Sequence, residues 1–476
     1  MLKEDYEKFY ILLFTFFQMC TAKAIGISDP GPNDLWIQLF IRDKIEEIMN
    51  NDDLFDLTID SDSKKFELER TLSIGAPNAK TYGKSLTVDE KDFIYITGDT
   101  DRGIYNNAAA ASGNRDLILG KYDSQMNPIW TKQIGNVGTT LSATDIAVDT
   151  NDNVYVTGNT NRNYPRALTG ERDLFLIKFD SNGNQIWSKQ KGIANHKLTP
   201  QKITLDALGN VYIVGDSDGP FGGPLTGLNG FIIKFKSDGD EDWVRQIGVE
   251  KALSSPKGIT FDKITGNIFI IGTGNINYET NKPSSIGTRD IFIFKYDSNG
   301  NGQFFAQLGS ANTSFYDACI TVDPFGNILI GGSSDGRFET TLGGVNILGT
   351  IVKYDSRGTL QWVHQFGPIN NLLKETNVNS IITDKNGNIF TTGFTNGNIL
   401  NRKSNSLGDY DAFLTKHNSS GQNKWIKQIG NPGAKIFGNE IAKDREGNLY
   451  VIGDTNSGIN GTPINGTNDM FLVKYR

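Results

Sequence analysis

One phrase returns through most of this chain. It reads Trp130-Thr-Lys-Gln-Ile-Gly135, then Trp187 to Gly192, Trp243 to Gly248, Phe304 to Gly309, Trp362 to Gly367 and Trp425 to Gly430, with a degenerate first copy from Arg70 to Gly75. The closing glycines, at 75, 135, 192, 248, 309, 367 and 430, are spaced by 60, 57, 56, 61, 58 and 63 residues. Self-similarity at a fixed period signals a repeat array, in which each unit packs mainly on its neighbours. That frees a chain of 476 residues from the size limit of a single hydrophobic core.

Each unit contains four strand-like pieces. The first is Ile-x-x-Asp, as at 146–149, 203–206, 259–262, 320–323, 381–384 and 441–444, with Leu86 opening the first copy. The second is typified by Asn153-Val-Tyr-Val-Thr-Gly158, the third by Asp173-Leu-Phe-Leu-Ile-Lys-Phe179, and the fourth is the Trp–Gln–Gly phrase. Val, Ile, Phe and Tyr dominate these pieces and suit a pleated surface. The third is apolar at consecutive positions, as expected of a strand buried on both faces. Asp206-Ala-Leu-Gly-Asn210 and its relatives join the first and second pieces; Asp180-Ser-Asn-Gly183 and its relatives join the third and fourth. Asp bonds its own turn backbone and Gly takes the left-handed position. The 53 glycines fit such a turn-rich chain.

Sheets covered on both faces and repeated at a fixed period predict a ring of four-stranded antiparallel blades, which leaves only short edges. The chain opens on an orphan fourth strand, Leu68 to Ile74, and ends on an orphan third strand, 470–475. The expectation is therefore an all-β, seven-bladed β-propeller over 66–476, with the N-terminal strand closing the last blade. Antiparallel pairing puts the two tight turns of each unit on one face of the ring and the two longer loops on the other.

These strands resemble the bacterial β-propeller repeat called SBBP, kin to NHL-type propellers. The resemblance covers about residues 66–476 and implies a seven-bladed propeller, often on exported or surface proteins, with no common enzymatic activity.

Ahead of the repeats, Phe9 to Phe17 is an apolar run too short to span a bilayer and reads as a signal-peptide core over 1–20. Cys20 follows it and resembles the lipidated cysteine of bacterial lipoproteins, which would anchor the chain at a membrane. Within 21–65, Leu35, Trp36, Leu39, Phe40, Ile45 and Ile48 recur at helical spacing, predicting one amphipathic helix from about 34 to 49, followed by an acidic spacer.

Candidate sites are few. A net charge of −7 and a pI near 5.2 argue against a nucleic-acid partner, and two cysteines exclude a disulfide framework. Asp-rich loops such as Asp99-Thr-Asp101 lack the further oxygen ligands of a calcium loop. His196, His364 and His417 look too scattered for a metal, and no nucleophile–base grouping stands out, so no catalytic residue, metal or cofactor is expected. The recurring Trp and Gln are expected to pack between blades rather than to form sugar slots. The entrances of the inner strands carry Ser85, Asp145, Lys202, Gly258, Cys319, Ser380 and Glu440, expected to converge at the long-loop mouth of the ring. Of these, Asp145, Lys202 and Glu440 are ionisable and are the candidate central-mouth residues. The reading that follows is a non-catalytic, exported or cell-surface scaffold that binds a protein or glycan through its long-loop face. The alternatives are an enzyme with its site at the central mouth, or a structural envelope protein.

Overall fold

A computed structural model describes residues 66–476, apart from 105–114, 136–137, 165, 226, 251, 276–285, 337, 339–346, 369–373 and 400–407. The expected signal, Cys20 and the 34–49 helix lie outside the described residues. Every regular element among the described residues is a strand, and these form seven sheets of four. No helix there is long and apolar enough to cross a membrane.

Six blades are consecutive in sequence. Blade 1 comprises Thr81–Val88, Ile94–Thr100, Asp116–Tyr122 and Pro128–Ile134, from the innermost strand outward. Blades 2 to 6 repeat this order, with inner strands Leu141–Val148, Leu198–Leu205, Ser254–Phe261, Phe315–Val322 and Thr376–Thr383. Blade 7 is built from both ends of the repeat region: Ile436–Lys443, Leu449–Thr455 and Asp469–Tyr475 are completed by Leu68–Ile74. That outer strand runs antiparallel to Asp469–Tyr475, with Leu72 opposite Leu472 and Ile74 opposite Met470. The closure expected from the orphan strands is the one observed.

The core lies between sheets. Tyr95, Leu117 and Leu119 of blade 1 pack with Val156, Phe175 and Ile177 of blade 2, all fully buried. Each such side chain contributes about 1.5–3 kcal/mol of burial, and none would be covered without the neighbouring blade.

The Trp–Gln–Gly phrase now has a physical account. In blade 2 the amide of Gln190 donates to Asp173 Oδ2 at 2.8 Å, and its Oε1 accepts the backbone N–H of Tyr164 from the long loop. Asp173 also accepts the amides of Thr169 and Gly170, so the pair pins both ends of that loop. The closing Gly192 leaves room for this carboxylate: a Cβ there would lie 1.9 Å from Asp173 Oδ1. The tryptophan reaches the next blade. Trp130 Nε1 donates to the carbonyl of Ser181 at 3.0 Å, and Gly183 lies against the indole face. The tryptophans therefore do pack between blades, but Trp130, Trp187, Trp243 and Trp362 are only half-buried, and Trp425 alone among the described ones is buried, at 5% exposed.

The inner strands correct one boundary. They begin about five residues earlier than the Ile-x-x-Asp signal, because a register shift interrupts each one, between Ala143 and Asp145 in blade 2 and between Pro200 and Lys202 in blade 3. A β-bulge of this kind breaks the alternation by which a strand is recognised and re-aims the following side chain.

Candidate functional site in the central channel

The bulge recurs in all seven inner strands. In six blades the residue immediately after the bulge is the one singled out from sequence, and in blade 5 the irregularity between Phe315 and Ala318 ends one residue ahead of Cys319. Ser85, Asp145, Lys202, Gly258, Cys319, Ser380 and Glu440 all line one cavity of about 220 Å³ on the ring axis. They are not at the long-loop mouth, as expected, but in the middle of their strands, since about four strand residues precede each.

The polar groups of this ring are turned on one another. Lys202 Nζ pairs with Glu440, from blade 3 to blade 7, and lies 3.6 Å from Asp145 Oδ1 in the adjoining blade 2. Asp145 accepts the hydroxyl of Ser85 at 2.5 Å and the backbone N–H of Ile203 at 2.8 Å. Glu440 accepts the hydroxyl of Ser380. Burial works against the Lys202 charge, yet Asp145 and then Glu440 outweigh it and hold its pKa above the ordinary lysine value. Glu440 is pushed up by burial, with the Asp145 charge adding to this and Lys202 opposing it. The side chains of Lys202 and Glu440 are 24% and 16% exposed, toward the channel lumen they line.

The remaining arc of the ring is small and unreactive. Gly258 presents no side chain. The Cys319 thiol is free but its pKa is raised, first by burial and then by Glu440, which disfavours the reactive thiolate. Among the described residues no group of three or more His, Cys, Asp or Glu is placed to hold a metal ion.

One pairing escaped sequence reasoning. His364 and His417, read as scattered, meet at the boundary of blades 5 and 6 with ring centroids 5.4 Å apart. His417 is fully buried, and burial together with its neighbour His364 lowers its pKa to about 3. The available signal was its place in the repeat: His417 ends the third strand, where other blades carry Tyr122, Phe179, Phe235 or Tyr354.

Ring, blade count and closure define a seven-bladed β-propeller. The chain belongs to the SBBP beta-propeller repeat family, whose model matches residues 70–106, 129–165, 186–222, 242–279, 303–339, 361–401 and 424–460. Each match starts in the outer strand of one blade and runs into the next, so the sequence repeat is out of phase with the sheet.

A curated relative is an uncharacterized WD repeat-containing protein of Acanthamoeba polyphaga mimivirus, 24% identical over 75% of this chain. The chain spans 32% of that protein's length. Among solved structures, an ulvan lyase bound to a carbohydrate matches with a TM-score of 0.50 at 10% identity, covering 84% of this chain and 95% of that one. An α-L-arabinofuranosidase from Fusarium graminearum matches at 0.45 and 13% identity, covering 71% and 92%. At such identities the likeness concerns the fold.

Proposed function

We propose that this protein is a non-catalytic scaffold that binds a protein partner. The observation that carries this reading is an apolar arc on the tight-turn face. At the tip of the turn joining the first and second strands, three consecutive blades present Leu208, Ile264 and Phe325, which are 80%, 68% and 65% exposed. The matching positions in blades 1, 2, 6 and 7 are Lys91, Asn151, Asn386 and Glu446. Single exposed apolar residues are ordinary, whereas their recurrence at one turn position of three consecutive blades on one face of a rigid scaffold favours an interaction surface. The arc is mostly aliphatic, with one aromatic side chain, which favours a protein over a glycan. It also lies on the opposite face from the long loops expected to bind.

Replacing Leu208, Ile264 and Phe325 together by serine is the test. The reading expects an unchanged melting temperature and loss of the partner that the unaltered chain retains and that mass spectrometry identifies. Retention of the same partner by the triple variant overturns it. A catalytic reading needs titratable groups left free to act on a substrate, and the channel groups are spent on one another. Turnover of a polysaccharide that is lost in Lys202→Met would favour the enzyme instead. Export and anchoring through Cys20 belong to the same proposal. A tagged copy that stays cytoplasmic with Met1 intact overturns that part.

A further inference from the structure

The cavity on the ring axis is lopsided along that axis. Besides the seven ring residues it is lined by residues that follow them in the inner strands, among them Leu86, Ile146, Ile203, Ile259, Ile320 and Ile381, and by none that precedes them. Each inner strand runs from the long-loop face to the tight-turn face, so the cavity extends from the ring toward the tight turns. Across its long-loop end lies the pair Lys202–Glu440, which joins blades 3 and 7 and therefore crosses the axis. The result is a chamber with largely aliphatic walls and a polar floor, the make-up of a small-molecule site. Its volume of about 220 Å³ exceeds the roughly 150 Å³ that accepts a benzene ring.

The floor has acceptors to spare. Asp145 Oδ1 takes the Ser85 hydroxyl and faces Lys202, and Oδ2 takes the N–H of Ile203. Glu440 Oε1 takes the Ser380 hydroxyl and Oε2 takes Lys202. A carboxylate offers about four acceptor positions, so about one is left on Asp145 and about two on Glu440. Two carboxylates against one lysine also leave the seven ring residues short of one positive charge. Burial raises the Glu440 pKa, Lys202 opposes this, and Asp145 adds to the rise. A second cation beside the two carboxylates would relieve that repulsion.

We propose that this chamber binds an alkylammonium group, with the stem along the aliphatic walls and the charged head on the spare positions of Asp145 and Glu440. A lysine side chain has this form, an apolar stem under a charged head. The chamber extends toward the face on which Leu208, Ile264 and Phe325 stand, each six residues beyond the ring residue of its own blade. Where the tight-turn reading holds, the group is a lysine of the protein bound on that face; otherwise it is a free amine, and the chamber itself does not rest on that reading.

The probe is n-butylammonium, compared with 1-butanol, which keeps the stem without the charge. Both are titrated into the folded full chain at neutral pH and followed by ligand-observed NMR. The amine should bind about tenfold or more tighter, the worth of a hydrogen bond to a charged group. Glu440→Gln should remove most of that preference. Thr321→Phe, which fills the chamber below the ring, should abolish binding of both. Melting curves show which variants are folded, and one folded variant suffices. Equal affinity for amine and alcohol overturns the proposal, as does a preference that a folded variant leaves unchanged. Leu208→Ser, Ile264→Ser and Phe325→Ser together should leave amine binding intact, so failure of the chamber and failure of the apolar arc are read separately. Release of the captured partner by excess n-butylammonium assigns the chamber to a partner's lysine, and retention of the partner with the amine bound assigns it to a free amine.

Discussion

The side-chain amide of Asn439 donates a 2.7 Å hydrogen bond to the backbone carbonyl of Gly83, joining inner strands of blade 7 and blade 1 that lie 356 residues apart. The same bond joins Asn379 to Gly438 between blades 6 and 7, at 2.9 Å. At their inner edges, then, the two boundaries of blade 7 are joined by the same kind of bond. Both asparagines are the extra residue of a bulge, freed from strand pairing to reach sideways.

Closure predicts that deleting residues 66–75 removes the outer strand of blade 7 and exposes a raw sheet edge. The expected outcome is loss of a cooperative melt and of a monomeric elution profile. A monomer of unchanged melting temperature after this deletion would contradict the pairing of Leu72 with Leu472.

Exposure ranks the tryptophans. Trp425→Ala should cost about 3–5 kcal/mol, as for a buried aromatic side chain. Trp243→Ala, at a half-buried position, should cost clearly less. Denaturant midpoints with an unchanged slope measure both, and equal costs would show that burial between blades is not what holds these residues.

Removing the channel cation should be more damaging than its position on a wet lumen suggests. Lys202→Met leaves Asp145 and Glu440 facing the same cavity without a counter-charge, at an expected cost of about 3 kcal/mol. Adding Glu440→Gln to it should recover part of the loss, read from the same unfolding curves. A double variant no better than the single one would rule out charge imbalance as the cause.

His417 makes stability depend on pH. It ionises near 3 in the folded protein against an ordinary value near 6.5, so the unfolded chain binds more protons between those limits. Stability from this residue is complete above about pH 6.5 and is lost as the pH falls toward 3. His417→Phe, which restores the aromatic of other blades, should flatten the fall in melting temperature between neutral pH and pH 4. Parallel curves for the two proteins would exclude His417 as a source of acid sensitivity.

Blade number, strand type and ring closure were legible in the sequence because each rests on short-range chemistry repeated at a fixed period. The Asp and Gly of a turn, and the apolar run of a third strand, are set by residues a few positions apart. The orphan strands at the two ends left one way to complete the seventh sheet. The identity of the channel residues was also legible, since one position per unit faces the axis. Their depth was not. It depends on a bulge, which is a property of two strands in register, and the bulge moved Asp145, Lys202 and Glu440 from the mouth to mid-channel. The Lys202–Glu440 pair, the meeting of His364 with His417 and the burial of Trp425 were likewise decided by the tertiary structure. Each depends on which blades become neighbours, and on where the hairpin turn is missing, once the ring has closed.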